Sequence, residues 1–197
     1  LLYQMKNNQN GNNRQLAGVV LYKCIDKHWQ KIPQDKQLLI KTLLIELYSK
    51  ETTKLALKAI AHVIMKICKQ TLLNKEWDTL LDIVFANPSQ YNTEQQLLFE
   101  LNLYIISELI SSSMEYLKHK LNDINNILTV AFSMGNTTMK ENATVCLGNL
   151  ISSLEKNELL HFKQFNNVLF KEIGNFNEKT IHRIYETLCD FQINSLY

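Results

Sequence analysis

The chain has 197 residues, and only 5 are glycine and 2 are proline. At average usage of about 7% glycine and about 5% proline, a chain of this length would carry roughly 24 of them. The scarcity excludes collagen-like and linker sequences and argues against β-sandwiches, β-barrels and glycine-rich nucleotide-binding folds. The net charge is only +2, which is far from the density of a nucleic-acid-binding protein. We therefore expect an all-α protein that neither binds nucleic acid directly nor inserts into a membrane.

Apolar residues recur at helical spacing along the whole chain. Five equivalent stripes begin at Ala17, Ala56, Phe99, Ala143 and Ile184, which gives separations of 39, 43, 44 and 41 residues. A near-constant period of about 40 residues is typical of HEAT and armadillo repeats, in which each repeat is an antiparallel pair of helices. Two helices alone cannot bury their apolar stripes, whereas stacked pairs can. The sequence predicts an α-α superhelix, that is, a solenoid of HEAT/ARM-type helix pairs.

The predicted organisation is a single solenoid. A leading half-repeat at 1–30 is followed by helix pairs at about 34–70, 75–111, 115–154 and 157–197. The helices that alternate with the five stripes are predicted at 35–50, 75–85, 115–134 and 157–173, and residues 7–13 are predicted as a polar loop. The chain begins Leu-Leu-Tyr, with neither a methionine nor a signal-peptide pattern, so we expect it to be a fragment of a longer protein.

No pattern of catalytic or metal-binding residues is apparent. His62 has no histidine or glutamate three or four residues later, and no GxSxG, P-loop or kinase motif is present. The four cysteines form no CxxC pair, which favours free thiols on helices in a reducing compartment. We expect no enzymatic activity, no bound metal and no cofactor.

The segment from Arg14 to Ile25, together with Trp29, carries a more specific signal. It contains an arginine, a small residue three positions later at Ala17, an apolar pair ending at Leu21, Lys23, and a tryptophan that closes the helix. A proline-containing turn and an amphipathic helix follow, up to residue 47. This pattern resembles the N-terminal domain of the importin-β (karyopherin-β) family of nuclear transport receptors. It looks nearest to the subgroup that imports ribosomal proteins and histones.

The resemblance implies a carrier without catalysis that shuttles between cytoplasm and nucleus. Such receptors bind the GTP form of the small GTPase Ran at their N-terminal repeats and take protein cargo on the concave inner helices. They dock Phe-Gly nucleoporins on the outer helices. The resemblance also gives the motif residues Arg14, Ala17, Leu21, Lys23 and Trp29 a structural role.

Helical geometry selects candidates for the partner-binding concave face. These are the residues on the side of each inner helix opposite its apolar stripe. They are Gln15, Tyr22, Lys23, Asp26, Lys54, Lys58, His62, Met65, Tyr104 and Glu108. Tyr22 and Tyr104 are the expected anchors, because aromatic side chains dominate the binding energy of interfaces. The lysines fit a partner-facing patch and a solvated helix face equally well.

Three phenylalanines, Phe85, Phe132 and Phe170, end predicted outer helices. They could frame Phe-Gly docking grooves, but a position in the core between repeats is favoured. Two alternative functions remain open at this stage. One is a HEAT-repeat scaffold of a phosphatase or chromosome-organising complex. The other is an exportin, whose cargo binding would require Ran rather than oppose it. Periodicity alone does not separate the scaffold from the import receptor, whereas the Arg14–Trp29 pattern favours the receptor. The exportin belongs to the same family, so this pattern leaves it open.

Overall fold

The computed structural model describes residues 1–71, 77–86 and 96–196, with side chains described as far as residue 193. Every regular element in these ranges is an α-helix or a short 3₁₀-helix, which confirms the predicted all-α class. The chain divides into two compact units, Leu1–Asp82 and Ile83–Tyr197.

Among its described residues, the first unit contains four complete helices. They are α1 (Leu2–Asn7), α2 (Gly11–His28), α3 (Gln34–Lys50) and α4 (Lys54–Thr71), with a 3₁₀ turn at Trp29–Lys31 after α2. Helix α5 (Asp78–Val84) begins in this unit and ends in the second.

The described part of the second unit contains six further helices. They are α6 (Gln96–Leu117), α7 (Leu121–Met134), α8 (Thr137–Ile151), α9 (Lys156–Leu159), α10 (Phe165–Glu172) and α11 (Glu178–Leu196). Short 3₁₀ turns lie at Lys118–Lys120, Leu160–Phe162 and Ile173–Asn175. The backbone of α6 is kinked at Ser113, where φ is −155° and ψ is 42°.

Within each unit, the helices that carry the predicted stripes pack side by side. Helix α2 packs most extensively against α4, α6 against α8, and α11 against α8. The contacts join residues about one period apart: Asp26 with Lys66, Glu100 with Asn142, and Ser107 with Asn149. A constant offset along two helices means that they run parallel in register. Inside each unit, helices that are about 40 residues apart in the sequence therefore pack against each other.

Several predicted boundaries are wrong. The helix predicted at 115–134 is two pieces, because α6 continues to Leu117 and α7 begins at Leu121. The helix predicted at 157–173 is likewise divided into α9, a 3₁₀ turn and α10. Of the helix predicted at 75–85, the described part is α5. Neither division carries a glycine or proline, so the sequence lacks the usual signal of a helix break.

The predicted loop at residues 7–13 shrinks to three residues between α1 and α2. The Asn10 side chain accepts a hydrogen bond from the Asn12 backbone N–H (2.9 Å) and thereby caps α2. Asparagine favours both loops and N-caps, because its carbonyl oxygen competes for backbone N–H groups. The asparagine-rich stretch was therefore misassigned as a loop when it marks a helix start.

The core is aromatic and aliphatic, with Trp29, Tyr48, Phe162 and Phe165 among the largest fully buried side chains. Phe85 and Phe132 are buried, as predicted, whereas Phe170 is 58% exposed, so its predicted core position is wrong. The four cysteines are free; Cys68 and Cys146 are buried, and burial raises the pKa of each thiol to about 12.

One helical stretch, 96–134, contains an 18-residue window with a mean hydropathy of 1.2, and 56% of that window is buried within the chain. By length and composition it is apolar enough to cross a membrane. This is weak evidence for a membrane span, because the buried core helix of a soluble protein passes the same test.

Two glycines allow neighbouring stripe helices to approach closely, as their positions inside the helices predict. A Cβ atom at Gly18 would lie 2.9 Å from the Cβ of Ala59 on α4. A Cβ atom at Gly148 would lie 2.9 Å from the Thr187 hydroxyl oxygen on α11. Both distances are shorter than normal contacts between such atoms. The helices can therefore lie this close only because Gly18 and Gly148 have no side chain.

We expect Gly18→Val to destabilise the chain by about 1–3 kcal/mol, the usual cost of overpacking a close interface. Gly174→Val is the matched control, because a Cβ atom there meets nothing within 4 Å. Urea unfolding monitored by circular dichroism measures both. Adding Ala59→Gly to Gly18→Val should recover part of the loss, since it removes the opposing methyl group. Equal stability of the two valine variants would contradict this account of the packing.

Candidate functional site

The motif residue Arg14 lies on the first turns of α2, where its guanidinium group joins three segments of the first unit. It binds the Glu51 carboxylate with two N–H groups, Nε to Oε2 at 2.7 Å and NH2 to Oε1 at 2.8 Å. It also donates to the carbonyl oxygens of Asn8 (2.8 Å) and Gln9 (3.1 Å), and to the Thr53 hydroxyl oxygen (2.9 Å). The α1–α2 linker and the α3–α4 turn are therefore both tied to α2.

The Arg14–Glu51 ion pair is largely withdrawn from solvent, with 16% and 5% of the two side chains exposed. Burial by itself would raise the pKa of Glu51. The hydrogen bonds from Arg14 and from the Thr53 backbone N–H (2.8 Å) outweigh it and, with the positive charge of Arg14, hold the pKa below its ordinary value. The same hydrogen bond to Glu51 raises the pKa of Arg14. Both groups are thus charged across the physiological pH range.

The other motif residues divide into buried and exposed positions. Ala17, Leu21 and Trp29 are buried, and Trp29 lies directly after the last residue of α2, where the pattern predicts a closing tryptophan. Lys23 is exposed and contributes nothing to the interior. Arg14, Ala17, Leu21 and Trp29 therefore make contacts inside the first unit, and the structural role that the resemblance implies for the motif stays a prediction.

Most predicted partner-binding residues of the first unit lie along the exposed surfaces of α2 and α4. Tyr22, Lys23 and Asp26 on α2 are exposed, and Gln15 is half-buried. Lys54, Lys58 and His62 on α4 are exposed as well. Because Gly18 contacts Ala59 and Asp26 contacts Lys66, α2 residues lie beside α4 residues about 40 positions later. We call these seven residues together with Lys66 the α2–α4 face.

Met65 does not belong to this face, because it is only 4% exposed. Its predicted exposed position is wrong. Leu57, Ala61 and Met65 follow one another at four-residue intervals along α4, and all three are buried. Helix α4 packs against both α2 and α3, so its apolar surface is wider than the single stripe inferred from the sequence.

Lys66 is the residue of this face that sequence reasoning missed. Its ammonium group lies 2.5 Å from Asp26 Oδ1 and 5.5 Å from the ring centroid of Tyr22. The hydrogen bond to Asp26 is the main cause that raises the pKa of Lys66, against the opposing effect of burial. The sequence could have indicated Lys66, because a lysine four residues after His62 lies on the same helix face as His62. The contact places the Lys66 ammonium group over the ring of the expected anchor Tyr22.

Tyr104 and Glu108, the remaining predicted residues, lie on α6 in the second unit, and both are half-buried. Glu108 lines a cavity of about 980 Å³ formed by α6, α8 and α11. Among the described residues, four carboxylates line it: Glu108, Glu141, Glu178 and Glu186. They share it with Lys179, His182 and Arg183, and with the amides Asn142, Asn149 and Asn177.

A hydrogen-bonded network holds one side of this acidic cavity in place. Arg183 NH2 donates to Asn149 Oδ1 at 2.7 Å, and Asn149 Nδ2 donates to the carbonyl oxygen (3.1 Å) and hydroxyl oxygen (3.0 Å) of Ser107. Glu141 accepts hydrogen bonds from Asn177 and Thr180. The cavity is preorganised and rich in acceptors, which suits a cationic side chain. The described residues contain no cluster that could hold a metal ion.

We expect Arg14→Ala to destabilise the first unit by about 2–4 kcal/mol, because it leaves the Glu51 carboxylate buried without its partner. Arg14→Lys should lose less, since it keeps the charge and loses the two-pronged geometry. Lys36→Gln is the control, because its ion pair with Asp35 is long (3.7 Å) and exposed. Urea unfolding compares the three. A loss from Arg14→Ala no larger than that from Lys36→Gln would contradict the role assigned to Arg14.

The lowered pKa of Glu51 also predicts a pH dependence. The ion pair contributes its full stability above pH 4.5, the ordinary glutamate value, and loses it as the pH falls through the lower pKa of the folded state. The stability difference between the natural chain and Glu51→Gln should therefore shrink below about pH 4.5. Hydrogen bonds from Lys6 and Lys140 also lower the pKa values of Glu46 and Glu172, so these carboxylates make stability depend on pH as well. Both are present in the natural chain and in the variant, so their effect cancels in the difference and only that of Glu51 remains. A difference that stays constant down to about pH 3 would contradict the prediction.

Comparison with known proteins places this geometry in a family context. No curated protein matches the chain. Residues 1–50, which include α1, α2, α3 and the Arg14 motif, match the family model of the importin-beta N-terminal domain. The match covers 50 of the 197 residues, and it supports an importin-β-like transport receptor as the relative of this chain.

Proposed function

We propose that this chain is part of a nuclear import receptor and binds the GTP form of Ran through the α2–α4 face. The single observation that carries the proposal is the match of residues 1–50 to the importin-beta N-terminal domain. The receptor acts as a carrier between cytoplasm and nucleus, has no catalytic activity and uses no cofactor. The exportin and scaffold alternatives gain no support from any particular contact.

The charge of the α2–α4 face supports an acidic protein partner. Lys23, Lys54, Lys58 and Lys66 contribute four positive charges, and Asp26 contributes one negative charge that Lys66 already neutralises. Residues 1–50 hold 8 lysines and arginines against 3 aspartates and glutamates, so the first unit carries the basic excess of the chain. Complementary charge accelerates association and fixes the register of a complex.

Tyr22 supplies a candidate anchor within this basic face. It is 37% exposed, and the ammonium group of Lys66 lies over its ring. An exposed aromatic ring whose position is restricted loses little conformational freedom on binding, which is why tyrosine is enriched at interface hot spots. We therefore place Tyr22 at the centre of the contact and the lysines at its rim.

We further propose that the acidic cavity of the second unit takes basic protein cargo, of the class of ribosomal proteins and histones. Its four carboxylates and its amide acceptors provide the partners that arginine and lysine side chains need. Exposed apolar residues such as Phe170 are proposed to bind Phe-Gly nucleoporins.

Binding of a histone tail peptide, measured by fluorescence anisotropy, should be competed by Ran in its GTP form. Competition absent under all conditions would reject the import mechanism.

We expect the double substitution Lys54→Glu and Lys58→Glu to weaken binding of Ran-GTP by about tenfold, mainly by slowing association. Surface plasmon resonance with Ran loaded with GTP or GDP measures this. Lys36→Glu with Lys171→Glu is the matched control, because both lysines are exposed, lie outside the face and give the same change in net charge. Equal weakening by the two pairs, or equal binding of the two nucleotide forms, would refute the proposal.

A further inference from the structure

An arginine of the protein itself already lies in the acidic cavity of the second unit. The guanidinium group of Arg183 on α11 reaches across to α8, where its NH2 donates to Asn149 Oδ1 at 2.7 Å. Its NH1 lies 3.9 Å from Oε2 of Glu186, about one turn further along α11. All three residues line the cavity. The natural chain therefore shows one way in which an arginine side chain binds there.

The backbone of α8 provides a flat floor beneath this guanidinium group. A Cβ atom at Gly148 would lie 3.0 Å from Arg183 Nε and 3.4 Å from its NH2, so both nitrogens lie close to the side-chain-free face of the glycine. A planar guanidinium group fits such a surface, whereas the compact ammonium group of a lysine has no flat face to place on it. The glycine floor therefore favours arginine.

The acceptor beside this floor is held from behind by α6. Asn149 Nδ2 donates to the carbonyl oxygen (3.1 Å) and the hydroxyl oxygen (3.0 Å) of Ser107, which is 4% exposed. These two bonds fix the orientation of the carboxamide, so that Oδ1 is the atom that faces Arg183. An acceptor that is already oriented loses little freedom when a ligand binds, and more of its interaction energy appears as affinity.

The contact that Arg183 makes is open to competition. The exposed fractions are 38% for the side chain of Arg183 and 53% for that of Glu186. Exposed ion pairs are weak, because water solvates both partners and both side chains lose conformational freedom. Glu186 is also shared with His182, whose Nδ1 lies 3.4 Å from Oε1. The internal contact is thus weak enough for another guanidinium group to displace it.

We propose that Gly148, Asn149 and Glu186 form an arginine subsite of the acidic cavity, which Arg183 occupies until an arginine side chain of a basic protein displaces it. The inference rests on the proposed cargo function and names the cationic residue that the site selects. The carboxylates of the cavity attract lysine and arginine alike, whereas the glycine floor and the oriented carboxamide favour arginine. The volume of about 980 Å³ leaves space for the residues that flank this arginine.

Displacement can be observed directly, because the chain has only two arginines, Arg14 and Arg183. A ¹⁵N-labelled sample gives one Nε–H signal for each, and the variant Arg183→Lys identifies which signal belongs to Arg183. Saturation with an unlabelled arginine-rich hexapeptide, capped at both ends, should shift the Arg183 signal towards that of a free arginine. The Arg14 signal should stay in place, because its ion pair with Glu51 is largely withdrawn from solvent. An Arg183 signal that stays in place at saturation would overturn the proposal.

Selectivity between arginine and lysine is tested with a capped lysine-rich hexapeptide of the same charge. We expect the natural chain to bind the arginine-rich peptide about threefold or more tightly, and Asn149→Ala to remove this preference. Fluorescence anisotropy measures both affinities. Asn142→Ala is the matched control and should keep the preference, because Asn142 also lines the cavity and also donates to an α6 carbonyl oxygen, that of Glu100 at 3.2 Å. The same loss in both variants, or a preference that survives Asn149→Ala, would reject the subsite.

Removal of the internal competitor should have the opposite effect on affinity. We expect Arg183→Met to strengthen binding of the arginine-rich peptide about threefold more than Lys179→Met does. Both variants remove one positive charge from the lining, but only Arg183→Met also releases Asn149 Oδ1. Equal gains from the two variants would show that charge alone acts and would overturn the displacement.

Failure here is separable from failure of the cargo proposal. Saturable binding of both peptides with equal affinity, together with an unmoved Arg183 signal, would overturn the arginine subsite and leave the cargo proposal intact. Absence of binding by either peptide would overturn both.

Discussion

The first unit depends on the ion pair between Arg14 and Glu51. One guanidinium group binds a carboxylate with two N–H groups and also contacts two carbonyl oxygens and a hydroxyl. The carbonyl partners belong to the α1–α2 linker, within six residues of Arg14. The carboxylate and hydroxyl partners belong to the α3–α4 turn, 37 to 39 residues after Arg14. A lysine could not hold all of them, because it lacks the planar fork. The pair sets where α4 begins relative to α2.

From that fixed start, small residues set the distance between the helices. Gly18 on α2 and Ala59 on α4 bring the backbones close, and Gly148 does the same for α8 and α11 in the second unit. Close approach at a constant offset of about 40 residues aligns equivalent positions of successive stripe helices. The exposed residues of α2 and α4 therefore form one continuous face rather than two separate ones, which is the requirement for binding a protein surface.

The two candidate protein-binding surfaces carry opposite charge for a structural reason. On the α2–α4 face, the α4 lysines Lys54, Lys58 and Lys66 are four and eight residues apart, so their charges share one side of the helix. In the acidic cavity, the carboxylates come from α6, α8 and α11, and no single segment of sequence shows an acidic cluster. Packing of three helices gathers them. Separate basic and acidic surfaces would let the proposed carrier distinguish an acidic partner from a basic one.

The errors in the predicted elements have two causes, and the first is that apolar periodicity indicates a helix but not where that helix is interrupted. The breaks after Leu117 and around Leu160–Phe162 involve no glycine or proline, and so the sequence contained no sign of them. The loop predicted at 7–13 failed for the opposite reason, since asparagine signals a loop and a helix cap alike. Most of α2, α3 and α4 was predictable, because their apolar stripes are long and end at clear signals.

The candidate site divides in the same way. Sequence alone determined the helical class, the repeat of about 40 residues, the Arg14–Trp29 motif and the exposure of Tyr22, Lys23, Lys54 and Lys58, because these follow from residue type and helical geometry. Only the tertiary structure decided that Met65 is buried, that Phe170 is exposed and that Lys66 joins Asp26 and Tyr22. It also decided that Arg14 finds Glu51 and that the Trp29 indole N–H has no acceptor among the described residues. The physical reason is that each of these depends on which neighbouring helix covers a face, and that information lies in residues about one repeat away.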